Sequence, residues 1–383
     1  FGSSHGEASL LSWLTVSQQP VRLFSRLQHT SALREAMLVQ SMSSSSTHTL
    51  AVKDHSLWAW GSNQSGQLGD GTRKERPATA PVHVLDNVEM VAAGFEHSTA
   101  VRRDGSLWAW GCNRYGRLGD GTEDNRRRPV RILNDVRSVS AGSEHTLAVK
   151  EDGTLWAWGC NESGRLGDGT ERDRLAPVKV TGGVGTAAAG ALHSLALKED
   201  GTLWSWGSNE YGQLGDGTTR DRVMPACVLE GVRLIVAGFD HSFAIKDDDS
   251  LWSWGCNKHG QLGDGSQSNS SRPRKILEGV CSVEAGFDHS FAVCHDGDLW
   301  AWGANTFGQL GDGTNEHRGS PVKILENVSW VVPAGDHSLA VKADRSVWVW
   351  GYTEGGQWVT TPTQIRRRSS RGRAAPKDAT ISL

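Results

Sequence analysis

Seven histidines are the first place to look for chemistry: His48, His97, His145, His193, His241, His289 and His337. Imidazole titrates near neutral pH and binds metals, so such a set invites acid–base or metal chemistry. A carboxylate precedes most of them (Glu96, Glu144, Asp240, Asp288 and Asp336), with Thr47 and Leu192 in the other two places. A second set is glycine-rich. Gly66-Gln-Leu-Gly-Asp-Gly71 and five later copies carry Asp70, Asp120, Asp168, Asp216, Asp264 and Asp312, and have some look of a phosphate loop. A third set is aromatic: the pairs Trp58 and Trp60, Trp108 and Trp110, Trp156 and Trp158, Trp204 and Trp206, Trp252 and Trp254, Trp300 and Trp302, and Trp348 and Trp350, each followed by Gly.

The spacing argues against chemistry for all three sets. The Trp-x-Trp-Gly cores are separated by 50 residues once and by 48 five times. A catalytic or metal centre needs different groups converging on one point. A fixed period instead puts like groups into separate units arranged side by side. Each histidine is therefore expected to be structural, its imidazole bonding backbone near a strand end or unit junction. No metal site, cofactor or catalytic residue is expected. The glycine run lacks the following Lys-Ser/Thr and strand–turn–helix setting of a phosphate loop. It is also too short for a calcium loop. It reads as a turn whose Asp bonds its own backbone. The two Trp, at i and i+2 of a strand, point to one face and are expected to pack as a wedge against the neighbouring unit.

The elements that hold these residues are short strands. In residues 129–176, Pro129-Val-Arg-Ile-Leu133 opens a unit. Val136-Arg-Ser-Val-Ser-Ala-Gly142, His145-Thr-Leu-Ala-Val149 and Leu155-Trp-Ala-Trp-Gly159 follow. Each is a β-branched or aromatic run bounded by Gly, Asp or Pro. Asp-Gly at Asp104, Asp152, Asp200 and Asp296 marks hairpins, with positive φ expected at both central residues. Seven units of four short strands predict an all-β, seven-bladed β-propeller, which closes on itself and hides its sheet edges.

The expected organisation is an N-terminal extension over residues 1–38, the propeller over 39–365 and a basic, disordered tail over 366–383. The last copy replaces the glycine run with Thr353-Glu-Gly-Gly-Gln357. Thr361-Pro-Thr-Gln-Ile365 is expected to tie the ring shut as a strand beside the first copy, which lacks a normally spaced Pro-Val strand ahead of it.

Composition narrows the function. The 383 residues carry a net charge of −3, so no global field calls for nucleic acid or an anionic membrane. Nucleic-acid contact is left to the Arg366, Arg367, Arg368, Arg371 and Arg373 cluster of the tail. No apolar run approaches the ~18 residues of a membrane span. The chain opens on Phe1, which leaves room for a preceding segment, and residues 10–16 are too short for a signal peptide. Of the six cysteines, Cys112, Cys160 and Cys256 share one repeat position with Ser62, Ser208, Ala304 and Tyr352. They read as small packed thiols in a reducing, intracellular compartment, cytoplasmic or nuclear.

With Ala93-Gly-Phe-Glu-His97, Trp108-Ala-Trp-Gly-Cys-Asn113 and Gly116-Arg-Leu-Gly-Asp-Gly121 recurring at one spacing, the chain resembles the regulator of chromosome condensation (RCC1-type) repeat family over roughly residues 39–365. The resemblance implies a seven-bladed propeller and leaves function open among nucleotide exchange, ultraviolet-B reception, β-lactamase inhibition and adaptor roles. The photoreceptor's Gly-Trp-Arg-His slot holds Phe95, Ser143, Ala191, Phe239, Phe287 and Gly335 here. Exchange in the family depends on a β-wedge inserted in one blade, and the regular spacing has no such insertion. The family's β-lactamase inhibitors lack the glycine run.

What remains is a surface. Glu96, Glu144, Asp240, Asp288 and Asp336 are expected to form an acidic collar near the ring's axis, with Phe95, Phe239 and Phe287 as aromatic anchors beside it. The competing reading is an ordinary solvated loop. The inter-blade loops are basic in places, as at Arg73, Lys74 and Arg76, Arg126 to Arg128, Arg172 and Arg174, and Arg220 and Arg222. The expected function is a monomeric, non-catalytic platform for a protein partner with a basic surface. Guanine-nucleotide exchange on a small GTPase is the alternative.

Overall fold

The computed structural model describes residues 39–351 except Ser46, Thr79, Ala334, Asp336 and Arg345. The extension 1–38, the strand expected at 361–365, the tail 366–383 and the collar residue Asp336 lie outside the described residues.

Seven antiparallel sheets follow one another along the chain, six with four described strands and the last with three. The second blade is typical: Val88–Ala93, His97–Arg102, Leu107–Gly111 and Arg126–Leu133, paired in that order. The innermost strands touch in sequence, and that of blade seven (Val328–Pro333) returns to that of blade one (Val39–Ser44). The chain is therefore a closed seven-bladed propeller.

The second strand of each blade explains the architecture. Its residues are buried on both faces, as in His97–Arg102. In blade one, Leu50 and Val52 pack toward blade two, against Val88, Val91 and Trp110. Ala51, pointing the other way, packs toward blade seven, against Trp330, Leu339 and Val349. A strand covered on both faces reads as a continuous apolar run, not an alternating one. The cross-strand register sets Ala100 opposite Trp108 and Ser98 opposite Trp110, so small residues make room for the indoles. Blade seven keeps this arrangement, with Ala340 opposite Trp348 and Ser338 opposite Trp350.

Three expectations change. Pro129-Val-Arg-Ile-Leu133 opens no unit; it lies in Arg126–Leu133, the outermost strand of the blade before it, paired with Leu107–Gly111. The sequence period is the same in either phase, so only pairing decides it. Blade one, expected to lack a Pro-Val strand of its own, has four described strands ending at Val82–Leu85. The blade with three described strands is the seventh. Third, the Asp-Gly hairpins hold only one positive φ: Gly105 is at 76°, and the Gly105 N–H reaches the Arg102 carbonyl at 2.9 Å. That is a type I turn followed by a left-handed residue in a bulge, the usual three-residue loop. Positive φ at both central residues occurs in the shorter hairpin of blade one, at Asp54 (49°) and His55 (62°).

Candidate functional site

The seven histidines are kept apart. His48 Nε2 lies 2.7 Å from Ser98 Oγ of the next blade, and Ser98 Oγ donates to the Gln67 carbonyl at 2.7 Å. The pattern repeats as His97–Thr146–Arg117, His145–Ser194–Arg165, His193–Ser242–Gln213, His241–Ser290–Gln261 and His289–Ser338–Gln309. Each hydroxyl gives its one proton to a carbonyl, so it accepts from the imidazole. These histidines are thus neutral Nε2–H tautomers. Burial drives the pKa values down, to about 3 at His48, His193, His241 and His289 and to about 4 at His337. The expected bond from imidazole straight to backbone is replaced by one through a hydroxyl of the next blade. Gly94 is needed beside this ring because a Cβ there would collide with His97 Cε1 and Nδ1.

The two tryptophans of each pair, expected to wedge together against the neighbouring unit, are unequally buried. The second Trp is the buried one. Trp110, Trp158, Trp206, Trp254 and Trp302 are completely buried, and Trp60 and Trp350 nearly so. These rings enter the preceding blade: Trp350 of blade seven packs among Phe291, Val293 and Leu299 of blade six. Nor is packing their whole role. Trp350 Nε1 donates to the Gln309 carbonyl at 2.8 Å, the carbonyl that also takes Ser338 Oγ. Trp110, Trp206, Trp254 and Trp302 bond likewise to Gln67, Arg165, Gln213 and Gln261, so the indole joins the histidine junction. Trp158 Nε1 makes no such bond among the described residues. The first Trp is half-buried, and at Trp108, Trp156, Trp204, Trp252 and Trp348 it lies under a cation, with Lys198 Nζ 4.1 Å from the Trp204 ring centroid.

In the glycine run, Asp70 Oδ1 accepts Thr72 N at 2.8 Å and Thr72 Oγ1 at 2.7 Å, while Oδ2 holds Arg76 at 2.9 Å. Burial opposes ionisation of Asp70, but the Thr72 and Arg76 hydrogen bonds outweigh it and hold the carboxyl below its usual range. Arg126, Arg174 and Arg222 pair likewise with Asp120, Asp168 and Asp216. These arginines of the basic loops are therefore bound to the turn's own Asp.

Register places the candidate surface. His97 pairs with Gly111, and Gly111 with Arg126. The loop carrying Phe95 and Glu96 and the glycine-run loop therefore leave the same end of the blade. At that end Phe95, Phe239 and Phe287 line the mouth of the axial channel. Phe95 and Phe239 are 41% and 38% exposed, and Phe239 and Phe287 meet edge to face at 5.1 Å.

The acidic residues do not make a uniform collar. Glu144 is held by Arg117 at 3.2 Å and approached by Arg165 at 3.9 Å, both arginines being almost fully buried. On the opposite arc Asp288 accepts only a neutral donor among the described residues, Gln261 Nε2, at 2.9 Å. Asp240 Oδ1 has no hydrogen-bond partner among the described residues. Burial, then the neighbouring Asp288 and Glu210 carboxylates, push Asp240 up to about 6. The negative, aromatic arc thus spans blades four to six. Glu210 and the Gln/Arg choice at Gln67, Arg117, Arg165, Gln213, Gln261 and Gln309 escaped the reading of the sequence. The signal was present in the variation within Gly-x-Leu, but its consequence depends on which carboxylate lies above.

A family model for the RCC1-like domain matches residues 181–371. Models for the Regulator of chromosome condensation (RCC1) repeat match residues 54–101, 104–149 and 152–197, and a second such model matches 90–117 and 136–165. No curated protein matches the sequence. Among solved structures, human WBSCR16 is similar at 24% identity, over 78% of this chain and 85% of that one, with a TM-score of 0.69. Yeast RCC1 (Prp20) in its complex with Kap60 is similar at 22% identity, over 93% and 92% of the two chains, also at 0.69. Prp20p from Saccharomyces cerevisiae, described with its binding properties to Gsp1p and histones, matches at 22% identity, over 91% and 92%, at 0.69. These identities establish a common fold. Among the described residues no helix is long and apolar enough to cross a membrane.

Proposed function

This chain belongs to the RCC1 repeat family, and from that premise we propose that it is a non-catalytic platform that binds a protein with a basic surface through one arc of its axial face. The carrying observation is the Phe239–Phe287 pair at 5.1 Å, each ring followed in the chain by a carboxylate, Asp240 and Asp288. Aromatic anchors in a desolvated setting dominate binding energy at interfaces. Two carboxylates without a cationic partner among the described residues steer a basic surface and fix its register. The Glu144 side of the ring, matched by Arg117 and Arg165, is a poorer acceptor for such a partner. Six free cysteines, three of them buried, accord with a reducing intracellular compartment.

The test is affinity capture of partners, followed by measured binding of the purified partner to Asp240→Lys/Asp288→Lys. Binding should be lost while the melting temperature is kept. Undiminished binding would overturn the assignment of this arc. The yeast relative is described with its binding to Gsp1p, so guanine-nucleotide exchange is the alternative outcome. The 48- to 50-residue steps between Trp-x-Trp-Gly cores provide no room for an inserted β-wedge. Accelerated nucleotide release from a small GTPase would nevertheless replace the platform by an exchange factor.

A further inference from the structure

The innermost strands hold a like position in every blade: Ser43, Ala92, Ser140, Ala188, Val236, Glu284 and Val332. Only one is ionisable. Two of the others show what the position does in the ring. Ser43 Oγ accepts the Ala93 N–H of the next blade at 3.0 Å, and Ser140 Oγ accepts the Ala189 N–H at 2.9 Å. The residue that would offer this N–H to Glu284 is Pro333, which has none. Two departures from the repeat therefore coincide at one blade junction. Among the described residues nothing donates a hydrogen bond or a positive charge to the Glu284 carboxylate, and burial raises its pKa well above the ordinary value. A carboxylate half-buried in the channel wall is costly unless something pairs with it.

The surroundings state what the pairing group would be. Among the described residues, Glu284 is the only ionisable one lining a channel cavity of about 190 Å³ whose walls are mainly Ala, Gly, Ser and Val. Pockets for drug-sized ligands run roughly 300–1,000 Å³, so this volume suits one side chain. The mouth is flanked by Phe239 and Phe287, whose ring faces attract cations, and Asp240 and Asp288 directly follow them in the chain. A planar guanidinium would bring five N–H groups to a site with a single carboxylate. An ammonium on an apolar four-carbon stem brings three, at its tip.

We propose that Glu284 anchors a channel site for a single lysine side chain of the protein partner, the stem lying along the small-residue wall and the ammonium bonded to the carboxylate. This rests on the reading of the axial face as the docking surface.

The probe is Nα-acetyl-lysine N-methylamide, with its Nε-acetylated form as the neutral control, titrated against the whole chain by ligand-observed saturation-transfer NMR. Glu284→Ala copies Ala92 and Ala188 at the equivalent position, and Glu284→Gln keeps the shape; thermal melts confirm that both fold. Binding of the charged probe to the parent should weaken about tenfold or more in both variants, as expected for losing a charged hydrogen bond. The acetylated probe should not bind. Equal binding of the charged probe to parent and variants, equal binding of the two probes, or no binding to the parent at millimolar probe overturns the site. If the site fails while Asp240→Lys/Asp288→Lys still abolishes partner binding, the platform reading stands without it. If the probe binds as expected but no partner engages the face, the platform reading is the one that fails.

Discussion

His193 of blade four and Ser242 of blade five are joined across the blade boundary, Nε2 to Oγ, at 2.9 Å. The serine passes its proton to the Gln213 carbonyl, also at 2.9 Å. One hydroxyl thus serves a donor from one strand and an acceptor from a loop, all of them buried. Ser242→Ala leaves the imidazole N–H without its acceptor and is expected to cost about 1–3 kcal/mol in urea unfolding. Ser242→Thr restores the hydroxyl, as Thr146 supplies it two blades earlier, and should recover most of that loss.

The buried histidines make stability depend on acid. At five of them the folded pKa lies near 3–4, and burial holds His97 and His145 well below the ordinary value of 6.5 as well. Between those limits the unfolded chain binds more protons than the folded one, so stability falls as pH drops below about 6.5. Each histidine contributes up to about 1.4 kcal/mol per pH unit. Seven acting together predict a steep acid unfolding transition, followed by tryptophan fluorescence. A chain still folded at pH 4 would show that these rings are accessible to protons.

Asp240 works in the opposite direction. Its folded pKa is pushed up to about 6 by burial, with Asp288 and Glu210 adding. The folded state then holds the proton more tightly, so this group's contribution declines as pH rises from about 4, where the unfolded carboxyl titrates, to about 6. Asp240→Asn should raise the melting temperature at pH 7 and leave it nearly unchanged at the acid edge of that window. A melting temperature that falls at pH 7 would mean that the carboxylate has a partner.

The unequal tryptophans give a sharper test of packing. Trp206 is completely buried and bonded to the Arg165 carbonyl, whereas Trp204 is half-buried. Trp206→Ala is expected to cost about 3–5 kcal/mol, as for other fully buried large side chains. Trp204→Ala should cost clearly less, and equal losses in denaturant unfolding would contradict the burial difference.

The sequence by itself determined the repeat, the blade number and the strand grammar. It also removed the histidines and glycine runs from the list of catalytic candidates. These are local or periodic properties, carried by Trp58-Ala-Trp60-Gly and its copies. Which strand belongs to which blade was decided only by pairing, because Arg126–Leu133 has the same period whether it opens a blade or closes one. The unequal burial of Trp348 and Trp350 was also settled by the ring, since only the second indole reaches the preceding blade's Gln309 carbonyl. The charge of the axial face was likewise decided in three dimensions. Glu144 and Asp240 hold the same place in their repeats, but Arg117 and Arg165, each from a different blade, reach Glu144 and not Asp240. The isolation of Glu284 needed the ring to bring it beside Pro333. A repeat sequence specifies each blade's contents, whereas the contacts between blades join residues some 50 positions apart, and there the departures from the repeat acquire their meaning.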